Sequence, residues 1–315
     1  MSASADTEVP AGATANAAQL NSFRHYRHLT LELAISQFKL RYTQSVLGYL
    51  WSLLKPAMIF GIIYVIFVVL FDVKDGTQFY GIQLLLGIVT WTFFAECTAL
   101  SMQAIAANGG LIRKAYFPRS ILVIAASLTS LFTFVINLCL VIVIAIALHQ
   151  IDIGVRIVAV IPLLLELYLL ALGISFFLGS LFVQYRDVGH LWEVLMQLLF
   201  YGSGVMFSLS YVLQRLHLAR GVGVTKNLSP RDVWIAWLVV CNPIMQIVED
   251  LRHALVTPQA PWTETIVTGH LAAVHQYAAL DVPWLLPMPF LVVVLILAAG
   301  AFTFRARARN FAETL

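Results

Sequence analysis

The sequence contains six apolar runs, each long enough to cross a lipid bilayer as a helix. A hydrocarbon core of about 30 Å is crossed by about twenty helical residues, because each residue advances the helix by about 1.5 Å. The runs cover residues 51–71, 79–107, 121–148, 155–183, 188–213 and 284–304. We therefore predict an all-α integral membrane protein with six transmembrane helices. An even number of spans places both termini on the same side of the membrane.

Composition supports the same class. Of the 315 residues, 60% are hydrophobic and only 11% are charged. A soluble domain with so few charged residues could not cover its surface with polar groups, so this class is excluded. The three cysteines, Cys97, Cys139 and Cys241, all lie in apolar runs. We therefore interpret them as small buried hydrophobic residues and not as a disulfide set.

We expect a tail over residues 1–22 and a single transmembrane domain over residues 23–315, which begins with an interfacial helix. Residues 1–22 are small, polar and weakly acidic, which is typical of a disordered cytoplasmic tail. Residues 27–45 have helical periodicity and predict an amphipathic helix lying at the membrane interface. A soluble helix that packs on a partner protein is the alternative. The apolar positions recur every three or four residues: Leu31, Ile35, Phe38 and Tyr42.

The distribution of lysine and arginine predicts the orientation. Eleven of these residues lie in the N-terminal part, the segment 108–120, the turn at Arg186 and the C-terminal tail, whereas the two short opposite loops carry only Lys74 and Arg156. Because short cytoplasmic loops are enriched in cations, both termini and residues 108–120 are predicted to be cytoplasmic. We expect a multi-pass protein of the bacterial inner membrane.

Residues 108–120, NGGLIRKAYFPRS, form what we call the coupling segment, which lies between the second and third runs. Asn108, Gly109 and Gly110 tolerate a positive φ and are expected to stop the preceding helix. Basic and aromatic residues follow, and Pro118 is placed where the next helix could begin. This pattern predicts a short cytoplasmic element that docks onto another protein.

The long loop over residues 214–283 is expected to contain short helices. Residues 234–241 are apolar but too few to span a bilayer, which favours a re-entrant or interfacial helix. Asn242 and Pro243 break this helix. A second amphipathic helix should follow, with its apolar face formed by Ile244, Ile247, Leu251 and Leu255.

Polar and aromatic residues inside the runs are candidates for a substrate path. A buried charge is costly in lipid, so Glu96 and Glu166 either face a water-filled cavity and contact sugar hydroxyls, or bond to a neighbouring helix, or lie near the interface. Aromatic rings can stack on sugars, although many rings in spans face lipid. The aromatic candidates are Tyr64, Phe67, Trp91 and Phe94.

No motif in the sequence indicates catalysis, and we expect a chain that is not an enzyme. It contains no phosphate-binding G-x-x-x-x-G-K-[ST] motif and no Gly-Lys pair, so any ATP-driven step would need a separate subunit. No H-E-x-x-H or C-x-x-C motif predicts a metal site. A secondary transporter, or a membrane enzyme acting on polyprenyl lipids, remains the alternative class. The first would need coupling carboxylates, and the second an acidic or histidine cluster at one membrane face.

Several stretches together resemble a known family. They are FKLRYTQSVLGYLWSLLKPAMIFGIIYVIFVVLF (38–71), LIRKAYFPRS (111–120), Arg186–Asp187, Asn242–Pro243 with RHAL (252–255), and the C-terminal NFAETL. The chain resembles the permease subunits of ATP-binding-cassette exporters of cell-surface polysaccharides, which have a type-2 transmembrane domain. The resemblance covers nearly all of the chain beyond residue 22. Where that family often has a proline in its fifth span, this chain has glycines at 202 and 204, which predict a bend or break there.

This resemblance implies a function and a set of partners. It implies a homodimer of permeases bound to two ATPase subunits, which would bind the ATP and magnesium, while this chain would bind no cofactor. The substrate would be a lipid-linked polysaccharide of the O-antigen, teichoic-acid or galactan type, exported from the cytoplasm to the outer face. Membrane lipids would also bind, and no nucleic acid is expected.

The resemblance also implies roles for particular residues. The coupling contact with the ATPase would be made by Leu111, Ile112, Arg113, Lys114, Tyr116, Phe117, Pro118 and Arg119. The outer gate would include Trp234, Trp237, Asn242, Pro243 and Arg252.

Overall fold

The computed structural model describes residues 11–43, 47–70, 79–114, 117–150, 155–209, 212, 234–235, 238–256, 287–308 and 311. This part of the chain is helical and contains no β-strand. Its helices are α1 (Ala11–Thr43), α2 (Leu50–Tyr64), α3 (Tyr80–Ala107), α4 (Gly109–Lys114), α5 (Ser120–Ala147), α6 (Val160–Phe182), α7 (Val188–Gly202), α8 (Pro243–Leu255) and α9 (Met288–Arg307). A π-helical turn, Val65–Leu70, extends α2, and a 3-10 turn, Val155–Ala159, precedes α6.

Five helical stretches in the described residues are long and apolar enough to cross a membrane. They are Leu50–Leu70, Tyr80–Ala107, Ser120–Ala147, Ile157–Phe182 and Met288–Arg307. Their bounds lie within a few residues of five predicted runs, and the all-α membrane class is confirmed. The fifth run differs, because α7 has 15 residues and ends at Gly202, which gives a length of only about 22 Å. The count of six spans therefore stays a prediction.

Helix α3 lies at the centre of the fold. Its neighbours are α5 and α6, which pack most extensively against it, and also α2, α7 and α8. Within the apolar part of α3, 72% of the residues are buried, whereas only 6% are buried within the apolar part of the span Leu50–Leu70. Both α3 and α5 have 28 residues, so each is about 42 Å long and exceeds a 30 Å hydrocarbon core by about 12 Å. Both helices meet α4 at one end, which we call the α4 end.

Helices α6 and α9 approach each other closely at two glycines. A Cβ atom added to Gly300 of α9 would lie 2.0 Å from the carbonyl oxygen of Gly173 in α6. In the reverse direction, a Cβ atom at Gly173 would lie 2.7 Å from Cα of Leu297. Side-chain atoms cannot be accommodated at these distances, so two glycines set the separation of these helices. Without water to drive helices together in lipid, such close backbone packing is a main source of association.

Helix α1 differs from the prediction in its start and in its packing. It begins at Ala11, so residues 11–22 are helical here although we predicted a disordered tail up to residue 22. It packs along α5, where Thr129 donates a hydrogen bond of 3.2 Å to the carbonyl of the fully buried Ala34. Leu31 and Ile35, which we assigned to the apolar face, remain exposed. Because residue 34 is an alanine, α1 can approach α5 closely at this point. Helix α1 therefore packs on α5 through the side of α1 next to its predicted apolar face.

Glycine to alanine substitutions test the packing of α6 on α9. We expect Gly300→Ala to destabilise the fold by roughly 1–3 kcal/mol or more, because the new methyl group must push two backbones apart. Gly61→Ala in α2 is the matched control, since no atom lies within 4 Å of its added Cβ. Its effect should be neutral or slightly stabilising. Thermal unfolding of the purified variants in detergent measures both, and equal midpoints would contradict the interpretation.

Candidate functional site

Helix α7 has an exposed polar face. Its members recur at intervals of three, four and four residues, so they lie on one side of the helix. They are His190, Glu193, Gln197 and Tyr201, and all four are exposed. Apolar residues Leu191, Val194 and Leu198 occupy the adjoining exposed side. We call the first set the α7 polar face.

Contacts of α7 with α3 place this polar face within the membrane region. Trp192 donates from Nε1 to the hydroxyl of Thr98 over 3.1 Å, and the ring of Phe200 lies 5.7 Å from that of Trp91. Helix α7 therefore runs beside the middle of α3, in the opposite direction. Polar side chains at such a depth face a water-filled space or another protein surface rather than lipid. Sequence reasoning missed this face, although its helical spacing was visible in the sequence.

The aromatic residues that we proposed for the path separate into two groups. Trp91 and Phe94 are buried in the core, Phe94 with only 1% of its surface exposed. Their burial indicates packing roles and does not fit lining a path. Tyr64 and Phe67 are half-buried on the Leu50–Leu70 span. Tyr64 borders a cavity of about 600 Å³ between α2, α3 and α5, and the ring of Phe67 lies 6.1 Å from Phe207.

Glu96 of α3 forms an ion pair with Arg41 of α1. The same two side chains line a cavity of about 590 Å³, together with Trp51 and Lys55 of α2. The cost of placing a carboxylate in an apolar span is thus offset by a cation from the N-terminal helix. Because α1 supplies that cation, it is part of this site. Our alternatives for Glu96 included a cavity and a bond to a neighbouring helix, but they did not name Arg41 as the partner.

Glu166 of α6 has a different environment. Only 7% of its surface is exposed, and within the described residues neither carboxylate oxygen has a hydrogen-bond partner. It belongs to a buried polar cluster with Gln246 and Asp250 of α8, in which the Gln246 amide donates to Asp250 over 2.6 Å. The side-chain oxygen of Gln246 also has no partner in the described part of the chain. Glu166 is therefore packed between α6 and α8 in the described part of the chain, and its contact with substrate stays a hypothesis.

Replacing Glu166 by glutamine should stabilise the protein. A buried acceptor without a donor costs roughly 1–3 kcal/mol, and the new amide brings two N–H donors of its own to this cluster. We expect Glu166→Gln to raise the thermal midpoint in detergent, whereas Glu193→Gln on the exposed α7 polar face should change it little. A lower midpoint for Glu166→Gln would show that the carboxylate itself stabilises the fold.

Arg252 of α8 connects three parts of the structure at the end opposite α4. The guanidinium group, which is buried, donates to the carbonyl oxygens of Gln83 at 3.2 Å, Gly204 at 2.9 Å and Val205 at 2.6 Å. It also lies 3.6 Å from the carboxylate of Glu249. Gly204 has φ +73°, a conformation that glycine adopts without strain. Arg252 therefore donates hydrogen bonds to the backbone just beyond the end of α7. This is the region of Gly202 and Gly204, where we predicted a bend.

The other residues assigned to the outer gate lie in different environments. Asn242 caps α8 by accepting from the backbone N–H of Ile244 at 3.0 Å, and its amide donates to the carbonyl of Gly202 at 3.0 Å. Pro243 occupies the first turn of α8, where its missing N–H costs nothing. Trp234 has 75% of its surface exposed, and Trp237 lies outside the described residues. Arg252 and Asn242 are thus brought together around the break, and Trp234 is not.

Replacement of Arg252 by methionine should be strongly destabilising. The substitution keeps an apolar chain of similar length but leaves three carbonyl oxygens without their donor, which should cost at least about 2 kcal/mol. Arg305→Met at the exposed end of α9 is the control and should change stability by less than about 0.5 kcal/mol. Thermal unfolding measures both variants. Equal midpoints would contradict the proposed structural role of Arg252.

The coupling segment has an inner and an outer side. Helix α3 ends at Ala107, where Asn108 has φ −107°, so no positive φ is used at this stop, contrary to our expectation. Ile112 and Phe117 pack on the hydrophobic cluster of Ala104, Leu122 and Ala126. The outward residues are Leu111, Arg113, Lys114 and Pro118, which are exposed. Tyr116 lies outside the described residues.

The C-terminal region holds the same segment from another side. The Phe311 ring is buried against Ile105, Val123 and Phe304, and the guanidinium carbon of Arg119 lies 5.9 Å from its centroid. This distance is within the range of a cation–π interaction. Arg119 therefore contributes to positioning the coupling segment.

Comparison with known proteins identifies the family. The model of the ABC-2 type transporter family matches residues 28–256, well over half of the chain. The chain belongs to the ABC-2 type transporter family. This ABC-2 protein is accordingly a transport subunit that spans the membrane several times. The match includes the Arg41–Glu96 ion pair, the coupling segment, the α7 polar face and Arg252.

Individual relatives have more specific names. The ABC-2 protein is 24% identical over 292 residues to the O-antigen export system permease protein RfbA of Myxococcus xanthus, a match that covers 92% of this chain and 96% of that protein. Two proteins of the same name from Klebsiella pneumoniae are each 23% identical, over 71% of this chain and 78% or 79% of their own lengths.

Proposed function

We propose that this protein is the permease subunit of an ATP-driven exporter that moves a lipid-linked cell-surface polysaccharide from the cytoplasm to the outer face of the inner membrane. The observation that carries the proposal is the match to the O-antigen export permease of Myxococcus xanthus, which extends over nearly the full length of both chains. Of the glycan types considered, the names of the relatives favour O-antigen over teichoic acid or galactan.

The functional assembly in this proposal is a permease dimer with two ATPase subunits. The α7 polar face supports the dimer, because in a single copy Glu193 and Gln197 would be exposed to lipid at a depth where polar groups are costly. Facing a second copy, the two α7 polar faces would enclose a polar path. The ATPase subunits would bind ATP and magnesium, since the sequence has no phosphate-binding loop.

The coupling segment would transmit the conformational change of the ATPase. Its outward residues, Leu111 and Lys114 among them, would contact the ATPase, while Ile112 and Phe117 fix the segment to the ends of α3 and α5. Helices are stiff, so a displacement of α4 would move α3 and α5 with it. Because α3 also contacts α7 and α8, that movement would reach both the polar path and the break held by Arg252.

The proposal is tested by co-expression of the permease with the ATPase encoded beside it. We expect a stable complex of two permeases and two ATPases. The double variant Leu111→Glu with Lys114→Glu should reduce both recovery of the ATPase and polysaccharide export at least tenfold, because it reverses the charge of the outward side. Thermal stability of the permease alone should be unchanged, since both side chains are exposed.

Two control variants distinguish a lost contact with the ATPase from a loss of folding stability in the permease. Lys39→Glu on α1 makes a similar charge change away from the coupling segment and should leave the complex intact. Phe117→Ala should instead lower the thermal midpoint, because it removes a packed ring. Export without any ATPase, driven by an ion gradient, would refute the proposal and favour a secondary transporter.

A further inference from the structure

An apolar groove of about 370 Å³ lies between α6, α7 and α9. On α7 its wall covers residues 188–195, which is about 10 Å of helix. Leu191 has 70% of its surface exposed and Phe177 has 43%, so the groove opens on the outer surface of the chain. The other two walls are formed by Ile174, Phe177 and Leu178 of α6 and by Ile296, Ala299 and Gly300 of α9.

The groove lies in the half of the membrane nearer the α4 end. Trp192, which lines it, donates a hydrogen bond to Thr98 of α3. Thr98 is nine positions before Ala107, the last residue of α3, which places it about 14 Å from the α4 end of that helix. Half of a hydrocarbon core is about 15 Å thick. The groove is therefore at the depth of the hydrocarbon chains in the leaflet on the α4 side.

Arg307 of α9 lies on the same side of the helix as the groove. It follows Gly300 by seven positions, which is close to two full turns and about 10 Å further along α9. This direction leads to the α4 end, because Phe304 packs there on Ile105 of α3. Arg307 is half-buried, and in the described part of the chain its Nη1 atom has no acceptor and its side chain has no ion pair. A guanidinium group without an acceptor is costly in such surroundings, so an anion beside it would be stabilising.

The turn between α6 and α7 adds further charge near Arg307. Val183 at the end of α6 packs on the same hydrophobic cluster as Ala308, so this turn lies next to the end of α9. Arg186 and Asp187 of the turn are both exposed. Two cations and one carboxylate therefore leave this end of the groove positively charged.

We propose that the groove binds a phospholipid with an anionic headgroup from the leaflet on the α4 side, with one hydrocarbon chain between α6, α7 and α9 and the phosphate on Arg307. The order of the two parts fits, because Arg307 lies about 10 Å nearer the membrane surface than Gly300. Guanidinium groups bind phosphate oxygens through paired N–H donors. Basic pockets between helices on the cytoplasmic side bind anionic headgroups, and we predict the α4 end to be cytoplasmic. This lipid stays with the protein and is not the exported substrate, so the inference goes beyond the proposed function.

The charge at this end favours a lipid over a second copy of the chain. A second copy that met this face symmetrically would bring like charges together. An anionic headgroup would instead neutralise them, and its hydrocarbon chain would fill the groove with apolar atoms.

A chain in the groove would also support α7. The groove face of α7 includes Leu191 and Leu195, whereas the α7 polar face, with Glu193 and Gln197, lies on the opposite side of the helix. The lipid would therefore hold α7 from one side while its polar face borders the proposed path.

Fluorescence quenching by brominated lipids tests the site, because Trp192 lines the groove and bromine atoms on a hydrocarbon chain quench a tryptophan that they contact. The full-length chain is reconstituted in phosphatidylcholine nanodiscs that contain increasing amounts of brominated phosphatidylglycerol or brominated phosphatidylcholine. The difference between the wild-type protein and Trp192→Phe isolates the signal of Trp192. We expect half-maximal quenching at a mole fraction of phosphatidylglycerol at least about fivefold lower than that of phosphatidylcholine.

Two arginines of α9 provide matched variants. Arg307→Gln should reduce the preference for phosphatidylglycerol to about twofold or less, because it removes the cation on the groove side. Arg305→Gln removes the same charge two positions away, on the opposite side of α9, and should keep the preference. An unchanged preference in Arg307→Gln would overturn the inference. Loss of the preference in both variants would also overturn it, since this would indicate general attraction of anionic lipid to a basic surface.

Filling the groove tests the position of the hydrocarbon chain. Ala299→Phe places a ring in the groove, so most of the Trp192 quenching by brominated phosphatidylglycerol should be lost. Ala298→Phe adds the same ring on the exposed opposite side of α9, and quenching should be unchanged. Equal quenching in these two variants would overturn the placement of the chain.

Thermal unfolding in detergent gives an independent readout. A ligand that binds the folded state stabilises it, so added phosphatidylglycerol should raise the midpoint of the wild type and of Arg305→Gln more than that of Arg307→Gln. Equal shifts in all three proteins would contradict the site. Absence of Trp192 quenching by either lipid would show that another surface covers the groove, and would overturn the inference. None of these measurements depends on the ATPase or on export, so a negative result here does not affect the proposed function.

Discussion

Inside a lipid bilayer, a backbone carbonyl or amide can be hydrogen-bonded only by the protein itself. Unbroken helices satisfy this constraint within one segment, and five stretches of the described chain do so. The chain departs from it after α7, where the helix ends at Gly202 and Gly204 has a positive φ. The carbonyls released there are bonded by side chains of α8, with Asn242 donating to Gly202 and Arg252 to Gly204 and Val205. The break and α8 therefore depend on each other.

Three carboxylates in this membrane domain show three ways of accommodating a charge in lipid. Glu96 is paired with Arg41, which ties α1 to α3. Glu166 is enclosed between α6 and α8 next to Gln246, without a donor in the described part of the chain. Glu193 is exposed on α7 together with other polar residues. Among the described residues, Glu96 lines a cavity and Glu193 is exposed, whereas Glu166 is enclosed by packing.

The coupling segment has exposed residues on one side and packs on the ends of α3 and α5 on the other. Lys114 is one of its exposed outward residues. On the inner side, Phe117 packs on the hydrophobic cluster at the α4 end, and the guanidinium group of Arg119 lies over the ring of Phe311. Helix α3, which begins near the break and ends next to α4, packs against α2, α5, α6, α7 and α8. The end of the fold that carries the coupling segment is thus connected through α3 to the opposite end.

Sequence alone determined the all-α membrane class, five of the spans to within a few residues, the position of the break at Gly202 and Gly204, and the end of α3 before Asn108. These features follow from local composition, because length, hydropathy and glycine act over neighbouring residues. Pairings between distant residues were not predictable in this way. Neither the ion pair between Arg41 and Glu96 nor the three carbonyl bonds of Arg252 has a local signal. Likewise Phe94 and Tyr64 look equally suited to a path in the sequence, and only the packing of α3 decided that one is core and the other borders a cavity.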